Sequence, residues 1–174
     1  MANYTAADVK ALREKSGAGM MDCKGALDEA DGNVEKAMEV LRLKGLKGVT
    51  KREGRTTSNG LIVARVSGGT GTLIELACET DFVAKAENFI ALADAVADAI
   101  VAAGATDVES ALAAKHGNAT VADAITDQAA ILGEKVELRK VATVSASGVD
   151  AYLHRTSRDL PPQVGVLVAF EGSD

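Results

Sequence analysis

The stretch that decides the fold is Gly60–Phe89, GLIVARVSGGTGTLIELACETDFVAKAENF. It contains two apolar runs, residues 61–66 and 72–79, on either side of a turn rich in glycine. Two such runs around a glycine turn predict an antiparallel β-hairpin. The last residues begin a helical pattern that continues from Glu87 to Ala103. Its apolar residues lie on one stripe, as in a helix that covers a sheet: Phe89, Leu92, Ala93, Val96 and Ile100.

The polar exit of this hairpin carries an unexpected aromatic residue. Glu79, Thr80 and Asp81 are followed at once by Phe82, in a chain that has three Phe, two Tyr and no Trp. Phe82 either packs back on the next helix, as a hydrophobic staple or beside Phe89, or projects outward as an exposed anchor. Exposed aromatic anchors dominate small interfaces, at about 2 kcal/mol or more each. Composition alone favours the packed alternatives and leaves the anchor open.

Upstream of the hairpin, residues 1–45 predict a compact bundle of three short helices. Thr5 followed by Asp8 is typical of a capping box at the start of the first helix. The glycines of SGAGM, residues 16–20, break that helix, and Asn33 can cap the third one. Three helices of this length are small but sufficient for a core.

Residues 46–59 predict a linker. Glycines are interspersed there with basic residues, and few of the side chains are apolar. Such a composition is typical of a flexible, solvated tether. The basic cluster could also contact an acidic partner, although the tether is the favoured interpretation.

Beyond the long helix, the pattern changes twice more. Two shorter helices are predicted after Thr106 and Thr120, each with an acidic residue three positions further on that completes a capping signal. A strand over residues 135–144 follows and completes a first core half of residues 60–144. The fold class predicted for the chain is therefore α+β.

The tail, residues 145–174, repeats the layout of the first hairpin. Its two strands follow Gly148 and Gly165, with a longer turn between them. A hairpin needs a further strand or a helix over its apolar face to be stable. This one either leans on the first half or belongs to an incomplete second half whose covering elements are missing. We favour the second alternative.

Composition excludes several classes of function. A formal net charge of −6 and a pI near 5.0 argue against a dedicated nucleic-acid binder. No apolar run approaches the roughly 18 residues of a membrane span, and the N-terminus lacks the apolar segment of a signal peptide. Cys23 and Cys78 lie far apart without metal-ligand spacing, so we expect two reduced, partly buried thiols. These features predict a cytoplasmic protein without membrane or nucleic-acid partners.

The residues do not suggest a catalytic constellation. Glycine-containing segments at residues 17–22 and 48–54 match neither a dinucleotide fingerprint nor a P-loop. Neither histidine, His116 or His154, has a serine or cysteine near it in an activated-nucleophile context. We therefore expect no enzyme activity, no cofactor and no metal.

Met20 and Met21 are adjacent at the start of the second helix. Neighbours on a helix point about 100° apart, so at most one of the two faces the small core squarely. The other is expected at an edge or in solvent, where methionine suits an adaptable binding surface. The alternative, that both lie in a loose core, stays open.

Several stretches resemble the elongation factor Ts family. TDFV, residues 80–83, with LACE before it and AK after it, is similar to one signature of that family. VKALREKSGAGMMDCKGAL, residues 9–27, is similar to the other. GEKVELRK from Gly133 and AYLHR followed by VGVLV resemble the family's core. The resemblance runs along nearly the whole chain.

This resemblance implies a guanine-nucleotide exchange factor that acts on elongation factor Tu and supports translation elongation. The three-helix module would be ubiquitin-associated-like and would dock on the G domain of elongation factor Tu. The segment Thr80–Val83 would form a wedge, with Asp81 and Phe82 inserted between helices near the magnesium site. Positions that match the family's docking contacts are Leu12, Arg13, Met20 and Met21.

The resemblance also implies further contacts and leaves some questions open. His154 matches a position that lies against another domain of elongation factor Tu. Long family members continue after the second hairpin with a helical insertion and a return, which this sequence lacks, so self-association stays open. The runner-up hypothesis is a protein-binding adaptor that acts through the three-helix module. It predicts that Phe82 is buried in its own fold, whereas the exchange factor predicts that Phe82 is exposed.

Overall fold

The computed structural model describes residues 3–172, which divide into two compact units. The first unit joins the described part of Met1–Gly54 to the short segment Ala129–Glu134. The second unit joins Arg55–Gln128 to the described part of Lys135–Asp174. Helices and antiparallel strands are both present, which confirms the α+β class.

The first unit contains the three predicted helices, α1 (Ala6–Ser16), α2 (Met20–Glu29) and α3 (Val34–Arg52). At the start of α1, the Thr5 side chain accepts from the Asp8 N–H, and the Asp8 carboxylate accepts from the Thr5 N–H at 2.7 Å. This confirms the capping box. The Thr5 N–H and the Thr5 hydroxyl, which also donates to Asp8 Oδ2 at 2.8 Å, hold the pKa of Asp8 below its ordinary value.

The core of the bundle consists of small and medium-sized apolar side chains from all three helices. Its buried members are Val9, Leu12, Cys23, Ala26, Leu27, Ala30 and Ala37. Small residues allow short helices to approach closely, and this is how a bundle of so few residues fills its interior.

Helix α3 does not end near residue 45 but continues to Arg52, so the first part of the predicted linker is helical. The predicted loosening by glycine is not observed at Gly48, which lies inside this helix, as does Gly45 just before the predicted linker. A Cβ at Gly45 would lie 2.7 Å from the Cβ of Ala130, in the same unit. The glycine therefore permits a close backbone approach inside a regular helix. Only residues 53–58 lie between this helix and the first strand.

The second unit contains seven strands and four helices among its described residues. In chain order they are β1 (Asn59–Ser67), β2 (Thr70–Cys78), α4 (Asp81–Ala84), α5 (Glu87–Ala103), α6 (Val108–Ala113), β3 (Lys115–His116), β4 (Ala119–Thr120), α7 (Val121–Leu132), β5 (Val136–Ser145), β6 (Gly148–His154) and β7 (Val164–Phe170). The last residues of α7 belong to the first unit.

Strands β1, β2 and β5 form an antiparallel sheet with β2 in the centre. The predicted hairpin is confirmed, with Ser67 opposite Thr70 and a two-residue loop of Gly68 and Gly69 between them. Both loop glycines have positive φ, 57° and 78°, as the tight turns of right-twisted hairpins require. The long helix α5 has the predicted bounds, and all five residues of its predicted stripe are buried.

The two shorter helices are present, but one cap differs from the prediction. Asp107, not Thr106, caps α6, because its carboxylate accepts from the Ser110 N–H at 2.8 Å. The predicted pair at the start of α7 is confirmed, since Thr120 and Asp123 exchange backbone-to-side-chain hydrogen bonds. At the start of α6 two adjacent residues, Thr106 and Asp107, are both suitable caps. The spacing rule alone does not tell which of them caps the helix.

The second hairpin, β6 and β7, leans on the three-stranded sheet of the first half. A Cβ at Gly71 would lie 2.6 Å from Val149 Cγ1, and one at Gly165 would lie 2.6 Å from Ile62 Cγ2. The outer face of the hairpin carries exposed apolar side chains: Tyr152, Val164, Val166, Val168 and Phe170. The hairpin therefore leans on the first half, and its assignment to an incomplete second half stays a prediction.

Neither cysteine forms a disulfide, and both side chains are completely buried, one in each unit. Within residues 3–172, no helix has the length and apolar character needed to cross a membrane. In the same described range, no three His, Cys, Asp or Glu side chains are grouped as metal ligands would be.

Candidate functional site

The candidate site is the exit of strand β2, where the chain turns into the single-turn helix α4. Thr80 caps this helix, because its Oγ1 accepts from the Val83 N–H at 3.4 Å. The Cys78 Sγ donates to the Thr80 carbonyl oxygen at 3.3 Å, and the Asn59 side-chain amide donates to the Glu79 carbonyl oxygen at 2.9 Å. The three residues that lead to the helix are thus each held by a local hydrogen bond.

Phe82 projects from this helix into solvent. Its side chain is 73% exposed, whereas Phe89, seven residues further on, is completely buried. The packed alternatives for Phe82 are therefore wrong, and the exposed alternative is the one observed. Exposing an aromatic ring is unfavourable by itself, so a large exposed ring on an ordered element is a common sign of an interface.

The other members of the predicted wedge divide between solvent and interior. Asp81 is exposed beside Phe82, and Thr80 is half-buried as the helix cap. Val83 is buried, so its side chain anchors α4 and is not presented to a partner. Successive residues on a helical turn point about 100° apart, which lets Phe82 face outward while Val83 and Ala84 face inward.

A residue that the sequence reasoning missed lies directly against the exposed pair. The Lys85 ammonium is 4.6 Å from the centroid of the Phe82 ring and 3.6 Å from Asp81 Oδ2. It therefore makes a cation–π contact and an ion pair at the same time. The spacing of Asp81 and Lys85, four residues apart on a helical turn, is the signal that could have identified it.

A polar cluster lies where residues 55–57 meet the start of strand β5. Arg139 Nη1 is 2.8 Å from Glu75 Oε1, and the same guanidinium donates to the carbonyl oxygen of Thr57. Burial raises the pKa of Glu137, but hydrogen bonds from Thr57 and Lys135 outweigh it, and the pKa lies below its ordinary value. The cluster fixes the segment that precedes β1 to the sheet.

The predicted docking residues of the first unit are mostly on the surface. Met20 is 48% exposed and Met21 is 75% exposed, so the alternative that both lie in a loose core is wrong. Arg13 is also exposed. Leu12 is a correction, because its side chain is completely buried in the bundle and cannot touch a partner directly. It supports α1, the helix that carries Arg13 on its surface.

His154 ends strand β6 and is exposed to solvent. Its Nδ1 is 3.0 Å from the Tyr152 hydroxyl oxygen, and the two rings are 6.1 Å apart between centroids. Tyr152 is itself 60% exposed, so the pair forms a small polar and aromatic patch. The structure thus brings Asp81, Phe82 and Lys85 into one group. His154 is not part of it and pairs with Tyr152.

Comparisons with known proteins agree with the motifs quoted above. The profile of the family described as Elongation factor TS matches residues 79–174. Proteins named Elongation factor Ts from Micrococcus luteus, Leifsonia xyli and Clavibacter michiganensis are each 62% identical to this chain. The alignments cover 98%, 100% and 100% of this chain, but only 62%, 63% and 63% of those proteins. The chain therefore spans a little under two thirds of the length of these curated relatives. A family profile that covers more than half of the chain, with the signature segment Thr80–Val83 inside it, shows that the chain belongs to the elongation factor Ts family.

Proposed function

We propose that this chain binds elongation factor Tu in its GDP-bound form and promotes release of the nucleotide. Asp81 and Phe82 act as a wedge near the magnesium site of that GTPase. The observation that carries the proposal is the 73% exposure of Phe82 on a one-turn helix whose next residue, Val83, is buried. An aromatic ring held outward in this way loses hydration only when a partner covers it.

The wedge works through a difference in affinity. A protein shifts its partner's equilibrium only by as much as it prefers one state over the other. The exchange factor must therefore bind the nucleotide-free state of elongation factor Tu more tightly than the state with GDP and magnesium. By linkage, the nucleotide weakens the exchange factor to the same extent. No bond is made or broken in this cycle, so the role is binding and not enzymatic catalysis.

The free energy of burying Phe82 limits how much this ring can contribute by itself. Burying one phenylalanine contributes roughly 1.5–3 kcal/mol. This corresponds to a factor of about 10 to 150 in affinity. A larger acceleration requires Asp81, whose carboxylate can disturb the water shell of the partner's magnesium ion, and further docking contacts.

The first unit supplies the docking surface in this proposal. Met21 and Met20 are exposed, flexible apolar side chains at the start of α2, and Arg13 is an exposed cation on α1. Methionine adapts to the shape of a partner at low cost, and arginine is favoured at interfaces. Leu12 contributes indirectly by packing α1 into the bundle. His154 is a second contact, in the other unit, against a different domain of elongation factor Tu.

The runner-up hypothesis, an adaptor that binds through the three-helix module, also uses the exposed methionines. It gives no reason for an exposed ring at the exit of β2, because it requires Phe82 to be buried in its own fold. The exposure of Phe82 in the structure therefore supports the exchange factor over the adaptor.

The decisive experiment measures release of a fluorescent GDP analogue from elongation factor Tu with increasing amounts of this chain. The Phe82→Ala variant is expected to lower the stimulated rate by about tenfold or more, because the ring's burial free energy is lost. Phe170→Ala is the matched control, since Phe170 is also aromatic and 54% exposed but lies on β7. It is expected to stay within about twofold of the unchanged chain.

Two outcomes would contradict the proposal. If the unchanged chain does not accelerate GDP release at all, it is not an exchange factor. If it does, but Phe82→Ala accelerates release equally well, the wedge assignment is wrong and another part of the surface is responsible.

A further inference from the structure

We infer that Glu79 is a positioning residue that sets the direction in which Asp81 and Phe82 leave strand β2. This inference rests on the proposed function, because it gives that wedge its alignment. Glu79 lies between the last residue of β2 and the Thr80 cap. Its side chain is only 18% exposed, so its carboxylate is directed into the fold and away from a partner.

The carboxylate of Glu79 holds two other segments of the same unit. Oε1 accepts from the backbone N–H of Lys135 at 2.7 Å, at the entrance to strand β5. Oε2 is 3.3 Å from Nη1 of Arg55, in the segment that precedes strand β1. A charged acceptor makes stronger hydrogen bonds than a neutral one, and it fixes both donors relative to the exit of β2.

The main chain of Glu79 is held as well. Its carbonyl oxygen accepts from the side-chain amide of Asn59, the first residue of β1, at 2.9 Å. The group closes on itself, because the Lys135 ammonium donates to the Arg55 carbonyl oxygen at 3.2 Å. Glu79 is therefore tied through its side chain and its backbone to three residues on two segments: Arg55 and Asn59 at the start of β1, and Lys135 at the start of β5.

This arrangement explains how a one-turn helix can support a wedge. A four-residue helix has almost no stability of its own, so its direction must come from the residues that precede it. Phe82 lies three residues beyond Glu79, so a small rotation of the chain at the strand exit displaces the whole Phe82 ring. Displacements of about 1 Å from a productive geometry can cost on the order of a hundredfold in rate.

The first test requires no partner. The chain contains no tryptophan, so Phe82→Trp introduces a single fluorophore at the tip of the wedge. Adding Glu79→Ala to this variant is expected to lower the fluorescence anisotropy and to raise the rate of acrylamide quenching, because the exit is released. Adding Glu79→Gln is expected to preserve both values, since an amide oxygen still accepts from the Lys135 N–H.

The second test uses the GDP-release assay with Phe82 intact. Glu79→Ala is expected to lower the maximal stimulated rate by about tenfold. The half-saturating concentration should change less than about twofold, because the docking surface is untouched. Glu79→Gln is expected to recover most of the maximal rate. A purely structural role would not separate these two parameters or be rescued by glutamine.

Asp98→Ala is the matched control, since it also removes an acidic partner from an ion pair in the same unit. Asp98 lies on helix α5, away from the exit of β2, and its Oδ1 is 2.6 Å from Nε of Arg65. Circular dichroism establishes that each variant is folded. If Glu79→Ala is not folded, Arg55→Met replaces it, because this change removes only the cation and is expected to lower the anisotropy by a smaller amount.

The outcomes separate the inference from the proposed function. Unchanged anisotropy in folded Glu79→Ala, or an equal loss in Asp98→Ala, would overturn the positioning role. A lower anisotropy in Glu79→Ala that glutamine restores would support the positioning role, even if the unchanged chain does not accelerate GDP release from elongation factor Tu. That last failure would refute the proposed function alone.

Discussion

At the scale of single residues, Phe82 and Phe89 show how context decides burial. Both follow an acidic residue by one or two positions, yet one is 73% exposed and the other is completely buried. Phe89 belongs to a long helix whose apolar stripe faces the sheet, so its burial followed from the helical period. Phe82 belongs to a single turn, where no period can be recognised, and its exposure could not be predicted from composition.

The contacts of Lys85 with Phe82 and Asp81 lead to a prediction at the scale of single residues. Replacing Lys85 by methionine removes the cation from the Phe82 ring and from Asp81 while keeping a long apolar stem. Exposed cation–π contacts contribute about 0.5–1 kcal/mol, so stimulated GDP release should become about two- to fivefold weaker. Lys85→Arg should restore most of the activity, because a guanidinium also packs on an aromatic face.

The control for this prediction is Lys115→Met, which removes an exposed cation of the same unit away from the wedge. The effect of Lys85→Met on the half-saturating concentration should also shrink at high salt, since the ion pair with Asp81 is then screened. Full activity of Lys85→Met at low salt would show that the ammonium has no part in the wedge.

Leu12 and Val83 mark the limit of residue-by-residue transfer from a family motif. Both match positions of the two signatures, and both side chains are buried. A motif records every position that a surface needs, including the residues that hold it in place. It does not distinguish a side chain that touches a partner from one that packs beneath it, because this depends on the direction of the side chain in the fold.

At the scale of elements, local signals were sufficient wherever the structure is determined by neighbours in sequence. The capping box of Thr5 and Asp8 and the glycine hairpin turn depend on contacts within a few residues. Helix α3 is the counterexample. Its glycines predict a break by propensity, but the helix continues to Arg52, and Gly45 lies close to Ala130 within the same unit.

Two glycines inside helices provide a prediction at this scale. Replacing glycine by alanine in a helix interior stabilises the helix by roughly 0.5–1 kcal/mol when the methyl group has space. At Gly25 in α2 nothing lies within 4 Å of the new Cβ, so Gly25→Ala should raise the free energy of unfolding. At Gly45 the new Cβ would lie 2.7 Å from that of Ala130, so Gly45→Ala should lower it, by about 1–3 kcal/mol.

Urea unfolding followed by circular dichroism measures both variants, and each serves as the control for the other. If Gly45→Ala stabilised the protein as much as Gly25→Ala, the close approach to Ala130 would not be a feature of the folded state in solution. That result would favour the prediction that residues 46–59 form a loose tether.

At the scale of the whole molecule, the second hairpin depends on long-range packing. A two-stranded hairpin is at best marginally stable alone, so β6 and β7 need the sheet beneath them. Gly165 lies at this contact, where its missing side chain leaves room for Ile62 and Leu73. The repeat of the glycine and strand layout was visible in sequence, but the surface on which the second copy rests was not.

Gly165→Ala tests this packing. The new Cβ would lie 2.6 Å from Ile62 Cγ2 and 3.1 Å from Leu73 Cδ2, and relieving that overlap should cost about 1–3 kcal/mol. Hydrogen exchange at the amides of β6 and β7 should accelerate more than exchange in β1 and β2. Gly172→Ala is the control, since nothing lies within 4 Å of a Cβ there. Equal protection of β6 and β7 in both variants would mean that the hairpin does not depend on this contact.

The sequence by itself determined the class of fold, the positions of most elements and the family. The fold class and the elements follow from periodicity and capping, and the family follows from the resemblance of the motifs. All of these are properties of residues close together along the chain. Only the tertiary structure decided that Phe82 faces solvent, that Leu12 and Val83 do not, that Lys85 contacts Phe82 and Asp81, and that Glu79 holds the exit of β2. The physical reason is that burial and direction depend on which distant segments meet, and Arg55, Asn59 and Lys135 converge on Glu79 only after the sheet has formed.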